Sequence, residues 1–154
     1  MTVRFVQHPE ANDRVESAIA IIQALLPLNI RPRMKRRFIS NCLWQITQAE
    51  GKNKYDLRYR TQASLTAQRK NLRHEHVSRR KDMVTALMTA KPDEVPRIAR
   101  GAIGCVVTKA EHALLDEVDR NHRSLDGWSR YQKAGIIVVD MGTGIPLRFA
   151  PLVP

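Results

Sequence analysis

At 154 residues the chain is long enough to bury a core of its own and short enough for one domain. Hydrophobic residues at 43% and charged residues at 27% exclude a disordered or fibrous composition, and aromatic residues at 5% argue against a broad base-stacking platform. The formal charge of +11 is unevenly placed: residues 1–81 hold 17 Lys and Arg against 6 Asp and Glu, whereas residues 82–154 hold 9 of each.

The basic half predicts a polyanionic partner, because Lys and Arg contacts to phosphate release counterions and bind tightly at low salt. The expected partner is a nucleic acid, with DNA and RNA equally open. The rival readings are an acidic protein partner, an anionic membrane surface and a merely solvated basic face. Cys42 and Cys105 form no CxxC pair, which excludes a zinc ribbon or a thioredoxin-like site, and both sit in apolar runs as buried thiols. No secretory core and no bilayer-length apolar run is present, so a cytoplasmic protein without a membrane partner is expected. Self-association stays open.

In chain order, Thr2–Gln7 alternates weakly and reads as a short edge strand. Asp13-Arg14-Val15-Glu16 has the spacing of a capping box and predicts a helix to about Leu26, with Val15, Ala18 and Ile22 inward. Pro32 opens a second helix, in which Met34, Phe38, Cys42 and Ile46 recur at i+4 and Leu43 widens the stripe. Its first turns carry Arg31, Arg33, Lys35, Arg36 and Arg37, against the helix dipole, which suits an anionic partner. Gly51 is placed to end this helix. Leu57–Lys70 reads as an exposed helix with a thin apolar stripe. With Arg58, Arg60, Arg69, Lys70, Arg73, Arg79 and Arg80 in and after it, this segment is the candidate phosphate-contacting surface.

A helix starts at Ser78 or Asp82 and ends before Pro92, and a short one follows over Asp93–Arg100. Gly104–Thr108 reads as a buried strand. Thr108-Lys109-Ala110-Glu111 is a capping box that starts a helix to Arg120, with Ala113, Leu114 and Val118 inward and His112 accessible. Trp128–Lys133 is a helical turn. Gly135–Asp140 is the clearest strand, with a return over Leu147–Phe149 that Pro146 restricts to an edge. The expected class is α+β, helix-rich over the N-terminal two thirds, with short strands near 104–108 and 135–149 in a single domain.

The candidate chemistry centres on His74-Glu75-His76. An extended backbone puts His74 and His76 on one face and Glu75 on the other, whereas a helix separates the two histidines by about 200°. The acid–base and metal readings therefore need a strand here.

Glu75-His76-Val77, with Cys105–Thr108 leading into Glu111-His112, resembles the ββα-metal finger of HNH-type nucleases. That resemblance implies an endonuclease. His76 would be the general base, and Glu75 (or His74) with His112 would hold one divalent metal on the scissile phosphate, Mg2+ or Mn2+ ahead of Zn2+. Arg69 and His74, spaced as R-x4-H, are similar to the motif of HEPN-type ribonucleases, which are helical and metal-independent. There Arg69 would stabilise phosphate charge and His74 would act as acid or base.

Plainer readings run beside these. Glu75 can pair with Arg73, Arg79 or Arg80 in a hinge, and His112 with Asp116 one turn on. Asp116, Glu117 and Asp119 form an acidic helix face that can be solvated or paired with the basic half. A nucleic-acid-binding protein that is a metal-dependent nuclease leads. A non-catalytic DNA- or RNA-binding regulator and an interaction module for an acidic partner follow.

Overall fold

The computed structural model describes residues 4–153. The fold is α+β: six α-helices, most of them N-terminal, and a mixed sheet ordered β2-β3-β1-β4-β5. Among the described residues no helix is long and apolar enough to cross a membrane.

Helices α1 (Ala11–Leu25), α2 (Pro32–Gln48), α3 (Arg80–Met88) and α4 (Val95–Arg100) share one core. Ile19 and Ile22 of α1 meet Ile39, Leu43 and Ile46 of α2, and Val84, Leu87, Val95 and Ala99 close the cluster. Helix α1 begins two residues before the predicted capping box, at Ala11, with Glu10 as N-cap and no side-chain cap. Asp13 is thus a first-turn residue whose charge suits the dipole, and Glu16 pairs instead with Arg100 of α4. Helix α2 opens on Pro32 as expected. Cys42, Leu43 and Ile46 of the predicted stripe are buried, joined by Ile39. Met34 and Phe38 are 51% and 48% exposed: Met34 borders a cleft at the start of α2 and Phe38 a second one against α1.

The predicted helix over Leu57–Lys70 is not formed. Its place is taken by β1 (Tyr59–Thr61) and two short 3-10 turns, Ala63–Leu65 and Arg69–Asn71. The thin apolar stripe offered a helix little to bury, whereas β1 pairs parallel with β3 and antiparallel with β4. Arg58, just before β1, ties it to the end of β4, donating twice to Asp140 at 2.9 and 2.7 Å.

Strand β2 (Leu72–His76) runs antiparallel to β3 (Gly104–Thr108), with His74 opposite Val106, Glu75 opposite Cys105 and His76 opposite Gly104. Strand β3 is central and covered on both faces: Cys105 and Val107 meet Leu115, Tyr131 and Val138, and Val106 meets Leu57 and Leu72. An uninterrupted apolar run is what such a strand needs. A Cβ at Gly104 would lie 2.8 Å from the Thr47 carbonyl oxygen and 2.9 Å from Leu57. Glycine lets the end of α2 sit directly on the sheet beside His74.

Helix α5 (Lys109–Asn121) leaves β3 without a loop, and its capping box forms as the sequence predicts. The Glu111 amide donates to Thr108 Oγ1 at 3.2 Å, and the Thr108 amide donates to Glu111 Oε2 at 2.9 Å. Leu115 and Val118 face inward, and the expected inward Leu114 is exposed. Helix α6 spans Trp128–Lys133, β4 Val138–Asp140 and β5 Ile145–Pro146. The hairpin return thus comes two residues earlier than predicted, with Pro146 on the edge strand. Of the predicted N-terminal strand, Thr2 and Val3 lie outside the described residues, and Arg4–Gln7 form no strand.

Candidate active site in an arginine-lined cleft

A cleft of about 1200 Å³ lies where the N-termini of α2 and α3 meet β2, α5 and α6. Three of its walls follow from local rules already given. Strand alternation splits His74 and His76 from Glu75. The capping box fixes His112 in the first turns of α5. Pro32 sets where α2 begins.

On one face of β2, His74 and His76 lie against Trp44 of α2, with ring centroids 4.5 and 5.1 Å away. The Arg80 guanidinium lies 5.4 Å over the Trp44 ring. His74 is fully occupied: its Nδ1–H donates to the Lys54 carbonyl at 2.9 Å, and its Nε2 meets the Thr47 hydroxyl at 2.9 Å. His76 is 8% exposed, and neither of its ring nitrogens has a hydrogen-bond partner among the described residues. Burial, helped by the neighbouring His74, Arg80 and Arg130, lowers its pKa to about 3. It is therefore neutral at ordinary pH, with one nitrogen able to accept a proton.

On the other face, Glu75 Oε2 accepts a hydrogen bond from His112 Nδ1 at 2.6 Å. Burial raises the Glu75 pKa, and His112 and Arg130 oppose that rise. A carboxylate on Nδ1 fixes the tautomer and leaves Nε2 as the reactive nitrogen. Nε2 lies 3.6 Å from Asp116, and the His112 side chain is 42% exposed, so it stays reachable from the cleft.

Arg130 holds this arrangement from behind. Its side chain is 2% exposed and donates to Asp119 at 2.7 and 2.8 Å and to the His76 and Val77 carbonyls at 3.0 and 2.8 Å. The same Nη2 that donates to Asp119 Oδ2 also reaches Glu75 Oε1 at 3.5 Å. Glu75 thus pairs with Arg130 rather than with Arg73, Arg79 or Arg80. Asp119, on the acidic face that the sequence left either solvated or paired with the basic half, is paired: with Arg79 of that half at 3.1 Å and with Arg130.

The candidate phosphate-binding residues divide. Arg33, Arg36, Arg37, Arg79 and Arg80 line the cleft, joined by Arg31 and Lys81. Lys35 turns away and donates to the Leu26 carbonyl. Arg58 is held by Asp140, Arg60 by the Ser64 carbonyl and Arg73 by the Leu72 carbonyl. Arg69 sits over Tyr55 and not beside His74, so the R-x4-H pair is not assembled, and the five-stranded sheet departs from an all-helical ribonuclease fold. Lys70 is exposed outside the cleft. Sequence reasoning missed Trp44 and Arg130. Neither carries a local signal, since Arg130 sits in a polar hexapeptide and its partners are 11 and 53–55 residues away.

The implied metal can be tested against these donors. Glu75 Oε2 and His112 Nδ1 face each other but share the proton of a hydrogen bond, so together they would ligate an ion only in place of that bond. Among the described residues no group of three or more His, Cys, Asp or Glu side chains converges as a closed metal cage. This donor pair does not make a structural zinc site. It suits an ion that takes its remaining ligands from water and phosphate oxygens, as Mg2+ usually does. No family model matches the sequence, and no curated protein and no solved structure matches the chain.

Proposed function

We propose that this protein binds nucleic acid in the arginine-lined cleft and hydrolyses a phosphodiester bond there, with Glu75 and His112 at the reacting phosphate. The observation that carries this reading is the hydrogen-bonded Glu75–His112 pair set in the same cleft as seven Arg and Lys side chains of α2, α3 and the residue before each helix. A phosphate backbone supplies the counter-charge that, Arg79 apart, those side chains lack among the described residues. The pair then supplies what cleavage requires: an imidazole held in position by a carboxylate. β2 and β3, paired antiparallel with α3 and α4 between them in sequence, lead into α5, with Glu75 on the first strand and His112 on the helix, an arrangement compatible with the ββα resemblance.

In the metal-assisted form, Glu75 and His112 would hold the divalent ion, which supplies charge stabilisation at the phosphate and acidifies bound water. His76 lies on the opposite face of β2 and, with a pKa of about 3, is a weak base near neutral pH, so activating the attacking water would fall to the ion. The Arg side chains bind and orient the flanking phosphates, and Arg130 keeps Glu75 in place. The new bond joins the water oxygen to phosphorus, and the bond to the leaving sugar oxygen breaks.

A second form is favoured by the 2.6 Å Glu75–His112 hydrogen bond. There His112 Nε2 is itself the base and Glu75 orients it, with no metal required. Plasmid DNA and total RNA, incubated with wild type, His112→Ala and His76→Ala in Mg2+, Mn2+ or EDTA, separate the two. Cleavage lost in EDTA and in His112→Ala supports the first form. EDTA-resistant cleavage lost only in His112→Ala supports the second. Salt-sensitive binding without cleavage makes the protein a non-catalytic regulator. Absence of nucleic-acid binding turns the basic cleft toward an acidic protein partner.

A further inference from the structure

The cleft has two unlike walls. The carboxylates that line it are Glu75, Asp116 and Asp119, all on the α5 side. The opposite wall, built from the N-termini of α2 and α3, carries cations. Helix α2 has 17 residues and α3 has 9, and neither has a side-chain cap hydrogen bond. Pro32 has no N–H, and the Met34 and Asp82 amides bond to the Arg31 and Arg79 carbonyls, which leaves the Arg33 amide of α2 and the Arg80 and Lys81 amides of α3 free of partners in their helices, at the positive end of each dipole. The first turn of α2 has no acidic residue, and the Asp82 of α3 lies 3.9 Å from Arg79. Among the described residues Arg33, Arg37, Arg80 and Lys81 form no ion pair. Arg36 donates to Thr85 Oγ1 at 2.9 Å and so ties the two helix starts together.

An independent feature points to a ligand at this wall. His76 is 8% exposed, lines the cleft on this face of β2 and leaves both ring nitrogens without partners. Buried polar groups are seldom left so. A neutral imidazole has an N–H to give, and the surrounding guanidinium groups, ammonium group and helix amides are all donors. What is missing at this wall is a compact, multiply charged acceptor.

We infer that the α2–α3 wall is a second phosphate position that takes the terminal phosphomonoester of a nucleic-acid end. The inference rests on the nucleic-acid reading above and specifies its substrate. An internal diester carries a single negative charge. A terminal monoester carries about −1.5 to −2 at neutral pH and three acceptor oxygens, and so matches two helix starts and several unpaired Arg and Lys side chains better. Held there, an end would lay its neighbouring diester toward Glu75 and His112.

The test is fluorescence anisotropy of the wild-type protein in EDTA with single-stranded DNA oligonucleotides of one sequence. They carry a 5′-phosphate, a 3′-phosphate or hydroxyls at both ends, with the dye placed internally. Tighter binding of one phosphorylated end by about tenfold or more is expected, with the preference lost in Arg37→Ala and Arg80→Ala. Both residues are exposed, so neither change removes core packing. Arg69→Ala, outside the cleft, should keep the preference. Equal affinity for all three oligonucleotides, or a preference that survives both cleft variants, overturns the subsite while leaving nucleic-acid binding intact. Failure to bind any oligonucleotide overturns the nucleic-acid reading and the subsite together.

Discussion

His112 on α5 and Glu75 on β2, 37 positions apart in sequence, meet through an Nδ1–Oε2 hydrogen bond of 2.6 Å. The contact needs both the strand alternation that turns Glu75 away from His74 and the capping box that starts α5 directly after β3. If this pair carries the chemistry, Glu75→Gln and His112→Ala each lower cleavage by about 10²–10⁴-fold. Neither change should greatly weaken oligonucleotide binding, because the cations lie elsewhere in the cleft. Gel assays of cleavage beside anisotropy measurements of binding check the separation.

Arg130→Met should be severely destabilising. It leaves Asp119 without its bidentate partner and removes the donor to two strand-end carbonyls. Breaking a buried ion pair from one side costs about 3–5 kcal/mol. Urea denaturation of the two proteins measures the difference, and a loss under 1 kcal/mol would deny Arg130 its organising role.

Gly104→Ala tests how closely α2 sits on the sheet. The added methyl meets the Thr47 carbonyl oxygen, which is backbone, at 2.8 Å and the terminal methyl of the fully buried Leu57 at 2.9 Å. A loss of about 1–3 kcal/mol is expected, together with a disturbed Trp44–His74 contact. Thermal unfolding and tryptophan fluorescence report the two effects.

Acid sensitivity should trace in part to His76. Its pKa falls from 6.5 to about 3 on folding. Below pH 6.5 the unfolded chain binds a proton there that the folded chain refuses. The neutral imidazole's contribution is therefore fully present above 6.5 and is lost as pH falls toward 3, by up to about 1.4 kcal/mol per unit. His76→Gln should flatten the fall in stability between pH 6.5 and 4, measured by urea denaturation at each pH.

Salt dependence should separate the cleft from the other basic residues. Arg33→Ala and Arg37→Ala should each reduce the slope of log affinity against log salt by about one. Arg58→Ala and Arg69→Ala should leave the slope unchanged, since Asp140 holds the one and Tyr55 lies under the other, both outside the cleft.

Much of the frame was legible because short-range rules decide it. The Thr108–Glu111 capping box, Pro32 at a helix start, the apolar run Cys105–Val107 and the Trp128–Lys133 turn depend on neighbours in sequence. The Leu57–Lys70 segment was misread because its structure comes from pairing with strands roughly 45 and 80 residues later. The same limit governs the site. His74, Glu75, His76 and His112 stand out by residue type. That Arg130 sits beneath them, that Trp44 roofs His74 and His76, and that Arg58 and Arg60 are spent on internal partners are long-range facts. Composition located the basic half, and only packing divides its free cations from its paired ones.

The most direct measurement is cleavage of plasmid DNA and total RNA by wild type and His112→Ala, with divalent metal and with EDTA. The account predicts strand cleavage by wild type that His112→Ala loses while still binding nucleic acid. Undiminished cleavage by His112→Ala, or salt-sensitive binding by wild type with no cleavage under any of these conditions, would contradict it.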